Sequence, residues 1–251
     1  MNPIYALWSH PRSMSTAMER VMRERGDLDC AHEPFMYDYY VARQIRVMPH
    51  FKVQPGHPVS YSAIRDQLLV RAKARPVFIK DMSYYVMPHI LSDAGFAARL
   101  VNCFLIRDPL AAILSYFKLD PDVTLDEIGL EAQWLQYQAL AERGPAPSVI
   151  TAEDIRRNPR VAMAALWARL GLPYSEVAFD WQKQKPKDWE QVSGWHADVM
   201  ASTSIRPIDA DETVALQAQF DEMAAAQPRM KDYLAHHRPF YERLRSVALT
   251  V

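Results

Sequence analysis

Near the amino terminus, Arg12, Ser13, Ser15 and Thr16 bring one guanidinium and three hydroxyls together within five residues. Each of these groups can donate to a phosphate or sulfate oxygen. A helix that starts near Ser15 would add its unpaired N–H groups and its partial positive charge at the same spot, so the chemistry indicated is anion binding. The stretch is not the G-x-x-x-x-G-K-[ST] phosphate loop: both glycines and the lysine are missing, and with them the usual setting of a magnesium-bound hydroxyl. The plainer alternative is a helix end capped by its own Ser and Thr.

Four further polar residues are of interest for where the elements put them. Glu33 follows a weak strand at 29–32, Lys80 and Asp81 follow an apolar strand at 76–79, and Arg107 follows the strongest strand, 99–106. An arginine at the end of so apolar a strand is costly without an anionic partner, either a ligand or an acid such as Asp108. Glu33, Asp81, His32 and His10 are the candidate proton acceptors. Salt bridges from Glu33 to Arg12 or Lys80 are the structural alternative. No H-E-x-x-H, C-x-x-C or carboxylate cluster suggests a metal. Cys30 and Cys103 sit in apolar, strand-like surroundings and read as buried free thiols.

The elements that must position these groups alternate. A buried strand at 4–8 leads through the loop into a helix whose Met14, Ala17, Met18, Val21 and Met22 recur at helical spacing, with the charges on the opposite face. Helices are expected at 37–48 and 60–74, separated by a proline-rich loop at 49–58. Pro109 opens another, with Leu110, Ile113, Leu114 and Phe117 inward and Ser115 elsewhere. Thr124-Leu125-Asp126-Glu127 reads as a capping box for a long helix to about 142. A strand at 148–151 and a helix at 159–170 follow. Alternating strands and helices imply an α/β fold, a central parallel sheet covered by helices on both faces, with ligands at the carboxyl ends of the strands. Arg12, Glu33, Lys80 with Asp81, and Arg107 would then share one crevice. The last third is helical with an irregular middle, 182–204, holding Lys183, Lys185, Lys187, Trp189, Trp195 and His196; the lysines read as a solvated loop or a lid, and the tryptophans as core or partner contacts or as lining a ligand pocket. His236 and His237 are expected at the surface. One domain, 1–251, accommodates the pattern.

Composition narrows the function classes. With 49% hydrophobic residues and a formal charge of −1, a general basic field for nucleic acid is not expected. No stretch reads as a targeting or membrane-spanning segment, so a cytoplasmic location without membrane partners is the expectation.

Two segments together resemble the nucleotide-binding elements of sulfotransferases that use 3′-phosphoadenosine 5′-phosphosulfate (PAPS). Ser9-His10-Pro11-Arg12-Ser13-Met14-Ser15-Thr16 is similar to their 5′-phosphosulfate loop, and Arg107-Asp108-Pro109 through Ser115-Tyr116 to their 3′-phosphate element. Glu33-Pro34-Phe35, Lys80-Asp81-Met82 and Ala152-Glu153-Asp154-Ile155 are similar to a bacterial branch. The resemblance implies a P-loop NTPase-like sulfotransferase fold and transfer of a sulfuryl group to a hydroxyl or amine of a small acceptor. It implies that Arg12, Ser13, Met14, Ser15 and Thr16 form the 5′ site, with Arg107 and Ser115 on the 3′-phosphate. Lys80 takes the place of a lysine that steadies the bridging oxygen, and Glu33 that of an acidic base. Met14 where a glycine is usual and Met82 where cytosolic relatives place a histidine are departures. An ATP-dependent phosphotransferase and a non-catalytic nucleotide-binding protein are the competing classes.

Overall fold

The computed structural model describes residues 1–181, 186–195, 197–208 and 212–251. Five strands, β1 (Ile4–Ser9), β2 (Asp29–His32), β3 (Val77–Met82), β4 (Leu100–Ile106) and β5 (Ser148–Thr151), form one parallel sheet in the order β2-β3-β1-β4-β5. Alternate residues of β1 enter two different cores. Ile4, Ala6 and Trp8 join one face, while Tyr5 and Leu7 join the other, which is the period of two that a strand buried on both sides must have.

Among the described residues eight longer helices surround the sheet: α1 (Ser15–Glu24), α2 (Tyr61–Ala74), α3 (Pro109–Phe117), α4 (Leu130–Ala141), α5 (Ala152–Arg157), α6 (Pro159–Leu170), α7 (Glu212–Ala226) and α8 (Arg229–Ser246). Met18, Val21 and Met22 of α1 pack on the Tyr5 and Leu7 face, whereas Ile113 and Leu114 of α3 pack on the other. The neighbouring strands β1 and β4 therefore send their connections to opposite faces, which opens a crevice beyond their carboxyl ends.

Several expectations are corrected. The strand expected at 76–79 runs on to Met82, so Lys80 and Asp81 lie within it, paired with Leu7 and Trp8 of β1. The helix expected at 37–48 is a single π-helical stretch, Asp38–Ala42; Gln44 is left-handed at φ 51°, and Arg46 is drawn off to Glu127 and Asp120. The capping-box bond exists, Thr124 N–H to Glu127 at 3.1 Å, but the helix breaks after Ile128. There Gly129 is left-handed at φ 83°, where a Cβ would lie 3.1 Å from Tyr84 and 3.2 Å from His10. The charged face of α1 is not solvated: Glu19 and Arg20 are buried. His237 is buried too, its Nε2–H donating to the Leu125 carbonyl, while His236 pairs with Glu131. Lys183, Lys185 and His196 lie outside the described residues. Among the described residues no helix is long and apolar enough to cross a membrane.

Candidate functional site

The carboxyl ends of the strands open into a cavity of about 430 Å³ whose wall includes Arg12, Ser15 and Thr16 after β1, Glu33 after β2, Arg107 after β4 and Ser115 on α3. The sheet thus brings together residues up to about a hundred positions apart in sequence.

The loop after β1 is held in a conformation that non-glycine residues rarely adopt. Arg12 has φ 62° and Met14 φ 74°, each costing about 1–2 kcal/mol. Left-handed Met14 takes the place expected of glycine, and its carbonyl accepts the N–H groups of Ala17 and Met18 at 3.1 and 3.2 Å. No side chain caps α1, so the N–H groups of Ser15 and Thr16, ahead of the first intrahelical bond, belong to an uncapped positive helix end beside the cavity. Between the two left-handed residues Ser13 is turned inward; it is buried, off the cavity wall, and its hydroxyl has no hydrogen-bond partner among the described residues.

The two expected anion elements meet physically. Arg12 Nε donates to Ser115 Oγ at 2.9 Å and Nη1 to the Trp195 carbonyl at 2.9 Å, while Arg107 Nη1 donates to the Arg12 carbonyl at 2.9 Å. Arg107 makes no ion pair with an acid among the described residues. Asp108, its expected structural partner, instead caps α3 by accepting the Leu110 N–H at 2.8 Å. Burial lowers the pKa of the half-buried Arg107, with the neighbouring Arg156 adding to the effect against the pull of Glu153, Glu212 and Asp108. The Arg107 N–H donates to His10 Nε2 at 3.0 Å, and burial, followed by the Arg107 charge, pushes the imidazole pKa down to about 3. His10 is therefore a neutral strut below the cavity.

Glu33 reaches the cavity from below; the other carboxylate on its wall among the described residues, Glu212, is paired with Arg156. Its N–H completes the ladder to the Lys80 carbonyl at 2.8 Å, and its φ of 43° then turns the chain away from the strand direction. Tyr85 donates its hydroxyl to Glu33 Oε2 at 3.4 Å, and the Lys80 ammonium pairs with Oε1. Lys80 is fully buried and absent from the cavity wall, because it points from inside β3 and Glu33 stands between it and the cavity. Asp81 is also fully buried. Its two oxygens accept the N–H groups of Phe35 and Met82 at 2.9 and 3.0 Å, so its geometry is that of a brace for the turn carrying Glu33, not of a base. Burial pushes its carboxyl pKa well up, against those two donors.

Some of the site had no signal in the sequence. Arg156 of α5 lines the cavity beside Arg107, bonded to both oxygens of Glu212 at 2.8 and 2.5 Å and to the Arg206 and Pro207 carbonyls. Trp195 forms part of the cavity wall, whereas Trp189 is buried and donates to Glu19 at 2.9 Å. Met82, Tyr84 and Tyr85 supply an apolar wall near Glu33; a tandem of tyrosines after β3 was the only cue. No group of three or more His, Cys, Asp or Glu among the described residues has metal-holding geometry.

Comparison with known proteins adds an independent line. A family model described as a sulfotransferase domain matches residues 4–246. Branched-chain-amino-acid aminotransferase-like protein 2 of Arabidopsis thaliana is 26% identical over 209 residues, covering 81% of this chain and 36% of that protein. Protein 1 of the same name is 26% identical over 211 residues, covering 78% and 35%. The chain thus spans little more than a third of the length of these curated relatives. Among solved structures, the sulfotransferase domain from the curacin biosynthetic pathway is similar with a TM-score of 0.62 at 14% identity, over 91% of this chain and 98% of that one. The sulfotransferase domain from the Synechococcus PCC 7002 olefin synthase gives 0.60 at 18%, over 90% and 94%. At these identities the two structures speak for the fold.

Proposed function

Because the chain belongs to the sulfotransferase-domain family, we propose that it moves the sulfuryl group of PAPS to a hydroxyl or amine of a small acceptor. The observation that carries the reading is Arg107, a half-buried cation that makes no ion pair among the described residues, on the same cavity wall as the uncapped amino terminus of α1. One anion site at each place suits a nucleotide phosphorylated at both 3′ and 5′ positions. Arg107 and Ser115 would hold the 3′-phosphate. Arg12, Ser15, Thr16 and the first N–H groups of α1 would hold the 5′-phosphosulfate and stabilise the charge left on the departing phosphate. Ser13 serves through the loop backbone, and left-handed Met14 shapes the loop and lines the cavity.

Glu33 is the base: it faces the cavity and takes the proton of the acceptor as its oxygen or nitrogen attacks sulfur. Lys80 and Asp81 act beneath it, one as counter-charge and one as brace. The apolar wall of Met82, Tyr84 and Tyr85 beside Glu33 favours a small, partly apolar acceptor.

Calorimetric titration with adenosine 3′,5′-bisphosphate, AMP and ATP, with and without magnesium, tests the donor class. The bisphosphate should bind at least about tenfold tighter than AMP, the equivalent of about 1.4 kcal/mol for the second phosphate. Preference for magnesium-ATP would replace the reading with phosphoryl transfer. In a PAPS-consumption assay Glu33→Gln should lower turnover by about a hundredfold or more while leaving bisphosphate affinity intact.

A further inference from the structure

Behind Glu33 lies a buried chain of charges that the proposed reaction does not yet use. Glu19 of α1, fully buried, accepts His32 Nδ1–H at 2.6 Å on Oε2, and Arg23 Nε and Trp189 Nε1 at 2.8 and 2.9 Å on Oε1. With the proton on Nδ1, His32 turns its other nitrogen toward Glu33; Nε2 lies 3.8 Å from Oε1. Lys80 stands between the two carboxylates, paired with Glu33 and 3.9 Å from Glu19 Oε2. Among the described residues the charged groups facing His32 are Glu19 and Arg23 from α1, Glu33 from the end of β2 and Lys80 from β3, with Asp188 joined through Arg23.

Resting on the reading of Glu33 as base, we propose that Glu19 and His32 are positioning residues behind it, a carboxylate–imidazole pair that receives the proton Glu33 collects and restores its charge. The O–H or N–H bond of the acceptor breaks and its proton goes to Glu33. The O–H so formed then breaks as Nε2–H forms on His32, leaving an imidazolium between two carboxylates. The return path is Glu33 to water once product has left, so no further reactant is needed. Closing 3.8 Å to hydrogen-bond length takes a movement of about 1 Å, within the reach of a carboxylate rotation. Glu19 has a second use. While Glu33 is neutral, the buried Lys80 ammonium would otherwise lose its counter-charge, an expensive state. Glu19 is suited to this: although burial opposes its ionisation, His32, Arg23 and Lys80 outweigh that and hold its carboxyl well below the usual range.

The test compares full-chain wild type, Glu19→Gln, His32→Gln and Glu33→Gln. Bisphosphate binding is measured by calorimetry, and release of adenosine 3′,5′-bisphosphate from PAPS is followed with 2-naphthol as probe acceptor and with water alone. Nitrogen NMR reads the His32 tautomer in the wild type, a measurement independent of how any variant folds. Glu19→Gln and His32→Gln should bind the bisphosphate within about threefold of wild type and lose at least about tenfold in kcat at unchanged KM for PAPS. The wild-type imidazole should carry its proton on Nδ1. Variants within about twofold of wild-type kcat, or a proton on Nε2, overturn the proposal while Glu33→Gln stays inactive. A wild type that neither binds the bisphosphate nor releases it from PAPS removes the reading of Glu33 itself.

Discussion

The two strand-to-helix junctions that build the cavity solve the same problem in opposite ways. After β1 the chain passes through two left-handed non-glycine residues and enters α1 with no side-chain cap; after β4 it passes through Asp108, which caps α3 with its own carboxylate, and Pro109, which needs no N–H there. The first junction leaves its backbone donors without a side-chain cap at a cost in strain. The second uses its own and offers only side chains, Arg107 and Ser115. One helix end is thus open for the anion proposed there, and the other is an ordinary helix start with a cation beside it.

Substitutions can separate the two designs. Arg107→Ala removes the side-chain cation of the second junction, so bisphosphate affinity should fall by about tenfold to a hundredfold, from hydrogen bonds worth about 1.5–3 kcal/mol each. Because the free protein then loses a poorly solvated charge, its melting temperature should hold or rise. A fall in melting temperature with unchanged affinity would make Arg107 a structural residue and break the comparison.

His10 joins the junctions, since its Nε2 accepts the Arg107 N–H. Its pKa of about 3 in the folded chain lies below the ordinary 6.5, so only the unfolded chain takes up this proton between those values. Stability contributed above pH 6.5 is therefore lost as pH falls toward 3, by up to about 1.4 kcal/mol per unit. His10→Gln, which keeps an acceptor and cannot charge, should show a shallower loss in urea melts at pH 6.5 and 4.5. Parallel curves would show that the imidazole is not held neutral.

Asp108→Ala takes away only a cap, so it should cost about 1 kcal/mol of stability in chemical denaturation, with a smaller effect on nucleotide binding than Arg107→Ala. Met14→Gly is expected to do least. Glycine relieves the left-handed residue, while the flexibility it adds to the unfolded chain and the lost packing of Met14 offset the gain. Stability should stay within about 1 kcal/mol and bisphosphate affinity within about threefold. A large loss of affinity would mean that the thioether itself contacts the ligand.

Much of this arrangement could be read from residue order. Apolar runs of strand length, each followed by a polar residue, already placed Arg12, Glu33 and Arg107 at the strand ends, and the eight-residue step from Arg107 to Ser115 put the serine two helical turns on. Lys80 and Asp81 were misplaced because a strand buried on both faces can run through charged residues when each has an internal partner, here Glu33 for Lys80 and two backbone N–H groups for Asp81. The same difficulty hid Glu19. On α1 its spacing reads as a solvated face, whereas His32 of β2 and Trp189, 170 positions later, cover it.

Local order along the chain was sufficient to determine the alternation of strands and helices and the parallel sheet, and to single out the two segments proposed to bind anions, because period and capping are properties of neighbouring residues. Tertiary structure alone decided which charges face the cavity and which support it from behind. Burial and pairing depend on what packs across from a residue, and for Lys80, Asp81 and Glu19 the partners Glu33, Phe35, His32 and Trp189 come from other parts of the chain.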